Sequence, residues 1–292
     1  MKQTSQTSLL VIALIITGWS VALGQNKQRY THHSPVAHHQ VALEVLQASK
    51  SWINAFNQGK AAQCGQAYHH KNATMRAMPF GVKQGQASIT AFWSSLIAQG
   101  ASQLEYTQVT IEVVNKNTAL LSANWRMNIG EGKIYQEKWV KEQGVWYLMY
   151  DDFEVLKKYP KPINYPLHSV ASHQALEGVI QTSMQWVKSF NQQKATTCAN
   201  MYAQSATLNG APFASVHHQA AIQSFWAKLV KDGARNLIYH QLKAEAVTPG
   251  VIKLAAHWSM NIGEGKIYQE KWVKAQGKWR LGYDEFEVLK QY

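Results

Sequence analysis

Apolar and polar positions along this chain follow two rhythms, one after the other. Val41, Val45, Leu46, Trp52, Ile53 and Phe56 recur at helical spacing and make one stripe, which Asn57-Gln58-Gly59 ends. A short second helix is predicted around Cys64 and Tyr68, four residues apart and therefore on one face. A third runs over 86–99, with Ile89, Phe92, Trp93 and Leu96 inward and Gly100 beyond its end. From 104 onward the period shortens to two. Strands are predicted over 104–114, 118–129, 134–141 and 145–155, separated by Asn115-Lys116-Asn117, Gly130-Glu131-Gly132 and Gln143-Gly144. Helices followed by a meander of long strands give an α+β class, in which three N-terminal helices pack inside a curved antiparallel sheet that encloses a conical cavity.

The whole pattern then repeats. The fifteen residues from Met127 to Lys141 recur without change from Met260 to Lys274. Phe92-Trp93 matches Phe225-Trp226, Gly100 matches Gly233, and Asp151-Asp152-Phe153 matches Asp284-Glu285-Phe286. Trp52, Cys64 and Tyr68 match Trp186, Cys198 and Tyr202 at an offset one residue greater, so copy two lacks a residue between Tyr202 and Ala206. Each unit is long enough for its own core, which makes this a tandem duplication and not a solenoid. The expected organisation is a signal peptide over 1–24, a polar leader over 25–40, domain one over 41–157, a Pro-rich linker over 158–169 and domain two over 170–292.

Composition changes this picture little. Hydrophobic residues make up 46% and charged residues 16%, the balance of a globular protein. The formal charge of +12 is scattered, with no run that would form a nucleic-acid stripe, so it is read as a solvated surface. Lys2, an apolar run over 9–16 and Ala22-Leu23-Gly24 form an export signal cleaved before Gln25, with an uncleaved anchor as the competing reading. The mature chain is then expected in the periplasm or outside the cell, without a membrane span. Cys64 and Cys198 occupy one equivalent core-facing position and are read as buried thiols. The leader histidines His32, His33, His38 and His39 are read as a loose polar segment and not a metal site. Neither a cofactor nor a metal is expected.

Several residue patterns carry a resemblance. They are Trp52-Ile53-Asn54-Ala55-Phe56-Asn57-Gln58-Gly59, Asn72-Ala73-Thr74, Gly85 with Ile89 and Phe92-Trp93, Lys138-Trp139-Val140-Lys141, Gly144-Val145-Trp146 and Asp151-Asp152. In these the chain resembles the nuclear-transport-factor-2-like superfamily, especially its SnoaL-like and ketosteroid-isomerase-like branches. The resemblance implies two tandem conical α+β-barrel domains. It implies no single function, because the superfamily holds isomerases, cyclases, dehydratases, hydrolases and adaptors. Glu137 lies near the position where the isomerase pattern carries a proton-donating acid. The Asp base that the pattern implies has no counterpart in Met75-Arg76-Ala77-Met78 or Leu208-Asn209-Gly210-Ala211, and Trp52 and Trp186 replace its Tyr donor. Steroid-isomerase chemistry is therefore not expected.

Strand parity supplies the candidate site. Trp146, Leu148, Tyr150 and Asp152 share one face of the last strand, as Trp279, Leu281, Tyr283 and Glu285 do in copy two. Tyr135, Glu137 and Trp139 share a face of the strand before, as do Tyr268, Glu270 and Trp272. Trp125 and Met127, with Trp258 and Met260, add an apolar wall, and Trp52 and Trp186 reach in from the first helix. Glu137 with Asp152, and Glu270 with Glu285, become candidate acid/base pairs in an aromatic cavity. Desolvation there would raise their pKa values toward neutrality. The competing reading has these acids paired with Arg76, Arg126 or a lysine, or at the solvated mouth. Three functions follow: a binding protein for a small, partly apolar ligand, an acid/base enzyme, and an adaptor for an acidic partner. The unchanged outward residues Asn128, Gln136 and Lys138 are not explained by a pocket. An intramolecular pairing of the two copies through their sheets would explain them.

Overall fold

A computed structural model describes residues 34–213 and 215–292. The predicted signal peptide and most of the leader lie outside these residues. Among the described residues no helix is long and apolar enough to cross a membrane.

The first copy begins with α1 (Ala37–Asn57), α2 (Ala61–Gln66), the short hairpin β1 (Thr74–Met78) and β2 (Gly81–Gln84), and α3 (Gln86–Ala98). Four long strands follow: β3 (Glu105–Asn115), β4 (Thr118–Met127), β5 (Gly130–Glu142) and β6 (Val145–Lys158). The second copy repeats this as α4 (Ala171–Asn191), α5 (Ala195–Ala199), β7 (Tyr202–Ala211), β8 (Val216–His217), α6 (Gln219–Lys231), β9 (Ile238–Thr248), β10 (Val251–Met260), β11 (Gly263–Ala275) and β12 (Lys278–Gln291). The α+β class with three helices and a large sheet per copy is as the periodicity implied. The chain divides into two compact units. One holds His38–Ile180 and Gln241–Ile252, and the other holds Gln181–His240, Lys253–Tyr292 and the described residues before His38.

Within the first copy the strand order is β2-β1-β6-β5-β4-β3. The β1 strand lies parallel to β6, with Met75 opposite Asp151 and Ala77 opposite Phe153, while the meander itself is antiparallel. This hairpin was not expected from the sequence. It is short, and only Met75 and Ala77 of β1 point into the core, between the half-exposed Arg76 and the turn at Pro79. The helix α1 also starts earlier than expected. His38 and His39 belong to its first turn and not to a loose leader, and His39 is fully buried.

The core follows the predicted stripe: Val45, Leu46, Ile53 and Phe56 of α1 have no solvent exposure. Trp52 packs edge-on against Trp93 of α3 at 5.1 Å, and Trp186 meets Trp226 at the same distance in copy two. The unchanged hairpin has structural work to do inside its own copy. Asn128 donates to the Gly100 carbonyl at 2.8 Å and accepts from the Ser102 amide at 2.8 Å, and Asn261 repeats this with Gly233 and Arg235. A Cβ at Gly132 would sit 1.9 Å from the Glu154 carbonyl and 2.6 Å from the Trp125 ring, and Gly265 faces the same obstruction from Glu287 and Trp258. Only glycine permits that approach. Tyr159 and Tyr165, from the segment read as a linker, bond back onto Glu131 and the Gln103 carbonyl.

Candidate functional site

Two irregularities in the sheet decide which side chains meet in each copy. On β5, Ile134 and Glu137 both point inward although three positions apart, because Tyr135-Gln136 forms a bulge against β4 and β6. On β6 the pairing shifts between Leu148 and Tyr150, so the inward positions become Leu148, Asp151 and Phe153. A bulge adds one residue and reverses every later parity on its strand. The inner carboxylate of β6 is therefore Asp151, directly across from Glu137, and Asp284 stands across from Glu270.

Each pair sits in a set of donors. In copy one, Glu137 Oε1 accepts from the Tyr106 hydroxyl at 3.1 Å and Oε2 from Trp139 Nε1 at 2.8 Å. The Tyr68 hydroxyl donates to Asp151 Oδ2 at 2.5 Å. Copy two reproduces this with Tyr239 and Trp272 on Glu270 at 2.9 and 2.8 Å, and Tyr202 on Asp284 at 2.6 Å. All four acids are buried, and no cation is bonded to any of them among the described residues.

Burial disfavours the charged carboxylate and pushes Glu137 well above its usual range, and the Asp151 charge opposite adds to this, while the Trp139 and Tyr106 donors oppose it. Burial likewise raises Asp151, against the Tyr68 hydrogen bond. Glu270 and Asp284 are raised for the same reasons. The four tyrosines are pushed up as well, first by burial, so each remains a phenol that donates. A cluster of this kind can hold and relay a proton near neutral pH.

Beside each cluster lies an aromatic-walled cavity. In copy one its volume is about 20 Å³, with Trp52, Trp93, Trp125, Met127 and Asp151 in the wall. In copy two it is about 50 Å³, walled by Trp186, Trp226, Trp258, Met260 and Asp284 among others. Trp52 and Trp186 from the first helix of each copy, and Trp125, Met127, Trp258 and Met260 from the strands, line these cavities. Trp139 and Trp272 lie deeper and serve the glutamates, with no place in either cavity wall.

Four tyrosines and two acids stand elsewhere. Tyr135 and Tyr268 are 45% exposed and donate to Glu154 and Glu287 on the outer face, because the β5 and β11 bulges turn them out. Tyr150 and Tyr283 donate to Asp152 and Glu285, also on the outer side of their strands. Asp152 pairs with Arg76 at 2.9 Å. Asp152 and Glu285 are therefore not partners of Glu137 and Glu270. Tyr106, Tyr239, Asp151 and Asp284 were missed as site residues. All four recur in both copies, and Asp151 recurs as Asp whereas position 152 becomes Glu285, which was a usable signal.

Cys64 and Cys198 are free, buried thiols whose pKa burial pushes up to about 12. Among the described residues no group of three or more His, Cys, Asp or Glu side chains could hold a metal ion.

No family model and no curated protein matches this chain. Among solved structures, it is similar over 42% of its length to 89% of a candidate scytalone dehydratase from Novosphingobium aromaticivorans, at 10% identity and a TM-score of 0.38. It is similar over 44% to 97% of an NTF2-like protein of unknown function from Pseudomonas putida, at 14% identity and a TM-score of 0.37. A protein of unknown function with a cystatin-like fold from Nostoc punctiforme matches 40% of this chain and 92% of its own, at 13% identity and a TM-score of 0.36. At these values the likeness carries no argument about activity. The chemistry rests on the residues above.

Proposed function

We propose that this protein is exported and binds a small, partly apolar ligand in an aromatic-walled pocket bordered by a buried carboxyl. The observation that carries this reading is the cavity of copy two, walled by Trp186, Trp226, Trp258 and Met260 with Asp284 as its acid. Apolar walls supply affinity, and a few placed polar groups set orientation. Export rests on the leader sequence over 1–24. The test is to fractionate producing cells, sequence the mature N-terminus and release bound compounds for mass spectrometry. A periplasmic or secreted protein starting at Gln25, carrying a compound whose return raises Tm, is the expected result. Retention in the cytoplasm with Met1 intact would overturn export. Absence of any released compound, with no Tm rise from a panel of small apolar molecules, would overturn binding.

The second reading is an acid/base enzyme, favoured by carboxyls whose proton affinity burial raises toward the neutral range. Asp284, which borders the cavity, would exchange the proton, and Glu270 behind it would tune that exchange. On this reading Asp284→Asn abolishes turnover of the identified ligand and leaves its affinity largely unchanged. Under the binding reading no turnover exists to lose.

A further inference from the structure

The two cavities differ in volume although their walls are nearly the same in sequence. Each residue that borders the copy-two cavity has an identical counterpart in copy one, with one exception: Gln291 stands where copy one has Lys158. The volumes are nevertheless about 50 and about 20 Å³. The cause must lie partly behind the wall, and the register identifies it. Gly210 of β7 stands opposite Phe286, whereas Ala77 of β1 stands opposite Phe153. A Cβ at Gly210 would lie 2.5 Å from the Phe286 ring, so that ring rests directly on the glycine backbone. In copy one the fully buried Ala77 methyl occupies this position. Phe286 borders the larger cavity, and its ring centroid lies 5.9 Å from that of Trp226 against 5.7 Å for Phe153 and Trp93, the direction expected of a ring that can settle onto a glycine. The Lys158 ammonium stands over the Phe80 ring at 5.2 Å, whereas their counterparts Gln291 and Phe213 both border the larger cavity.

The polar groups of the larger cavity narrow the ligand. The indole N–H groups of Trp186 and Trp258 are buried and have no hydrogen-bond partner among the described residues. Trp125 of copy one is in the same state as Trp258, whereas Trp52 gives its N–H to the Cys64 carbonyl at 3.2 Å. Buried donors without partners are costly, and an acceptor on a ligand that reached them would satisfy them. Apart from Asp284 the wall contains no charged side chain, so an anion would meet no cation there. A cation would face the two indole donors, and the one acid in the wall, Asp284, already takes the Tyr202 hydroxyl at 2.6 Å.

We propose that ligand binding is concentrated in the second copy, where Gly210 opens the cavity to the buried end of a neutral, largely apolar molecule that carries a hydrogen-bond acceptor. This rests on the binding reading above and specifies its site and ligand class.

The test labels the full mature chain with 5-fluorotryptophan and titrates it with cyclohexanone, cyclohexanecarboxylate and cyclohexylammonium. Fluorine resonances are assigned by single Trp→Phe variants. Cyclohexanone is expected to shift Trp186, Trp226 and Trp258 and to leave Trp52, Trp93 and Trp125 in place. Gly210→Ala should weaken that binding at least tenfold. Because the added methyl group could unfold the second copy, the reciprocal variant is decisive. Ala77→Gly combined with Lys158→Gln should make Trp52, Trp93 and Trp125 respond. Equal response of both copies in the unaltered protein, or a silent first copy in the double variant, would overturn the assignment to Gly210 while leaving the binding reading intact. Response to either charged probe in preference to the ketone would overturn the ligand class. No response of any indole to any probe would overturn both this inference and the binding reading.

Discussion

Tyr68 and Asp151 are joined by a buried 2.5 Å hydrogen bond that spans 83 residues of chain. The phenol donates, and it is the only hydrogen bond the described residues give that carboxyl. Tyr68→Phe removes the donor and keeps the ring. We expect a loss of roughly 1–3 kcal/mol, the usual cost of stripping a partner from a buried polar group. Asp151 should also move further above its ordinary range, since this bond is what opposes burial there. Urea unfolding of the single variant gives the first quantity, and carbon-13 titration of the labelled Asp gives the second. Tyr202→Phe should behave alike.

The four buried acids set a direction for pH dependence. Each has a native pKa raised above its unfolded value of roughly 4. The native state therefore binds more protons than the unfolded state over that interval. Stability from these groups is complete below the unfolded values and is lost as pH rises through the raised native ones. A tenfold difference in proton affinity between the two states is worth about 1.4 kcal/mol. Urea midpoints should fall between pH 5 and pH 8.5, and Glu137→Gln with Glu270→Gln should flatten that fall. A midpoint that rises over this range would contradict the burial argument.

The outer acids should behave differently. Asp152 meets Arg76, whose side chain is 46% exposed, in a pair that water screens. Asp152→Asn is expected to change stability by less than about 1 kcal/mol, against a larger effect for Asp151→Ala. Parallel denaturant melts of the two variants compare neighbouring residues on opposite faces of one strand.

Two glycines of the first copy make a matched pair. At Gly132 an added methyl group would overlap the Glu154 carbonyl at 1.9 Å and the Trp125 ring. Gly132→Ala should cost about 3 kcal/mol or more. Gly144 has φ near +85° with nothing within 4 Å of an added Cβ, so Gly144→Ala should cost only backbone strain of about 1–2 kcal/mol. Thermal melts of both variants test the order.

Cys64 and Cys198 should resist a thiol-specific chromophore in the folded protein and react together on unfolding. Burial excludes the reagent and holds the thiolate form far below half occupancy at neutral pH. Reaction of either thiol at the rate of free cysteine under native conditions would overturn that assignment.

The helices were legible because their apolar stripes are long and their stops are explicit, as at Asn57-Gln58-Gly59. The long strands were legible for similar reasons. Their inward faces were legible only up to the first irregularity, since alternation holds between bulges and not across them. Trp125, Met127 and Glu137 were placed correctly, on β4 and on the stretch of β5 beyond its bulge. Tyr135 lies in the β5 bulge, and Tyr150 and Asp152 follow the β6 one, and each of the three faces the opposite way. Nothing in Tyr135-Gln136 or Met149 marks a bulge by composition. The β1 hairpin escaped because two inward residues make too short an alternation to detect.

The unchanged segment shared by β5 and β11 has a kinetic consequence. β5 and β11 are identical up to Lys141 and Lys274, and their partners β6 and β12 differ at only five positions, among them Tyr147/Arg280 and Met149/Gly282, so during folding side chains alone discriminate weakly between the two neighbours. What separates the native pairing from a crossed one is tether length. A two-residue turn at Gln143-Gly144 closes β5 onto β6, whereas reaching β12 requires closing a loop of more than a hundred residues. Fidelity of assembly is thus written into the brevity of the turns, and lengthening them is the change that would let the copies exchange strands.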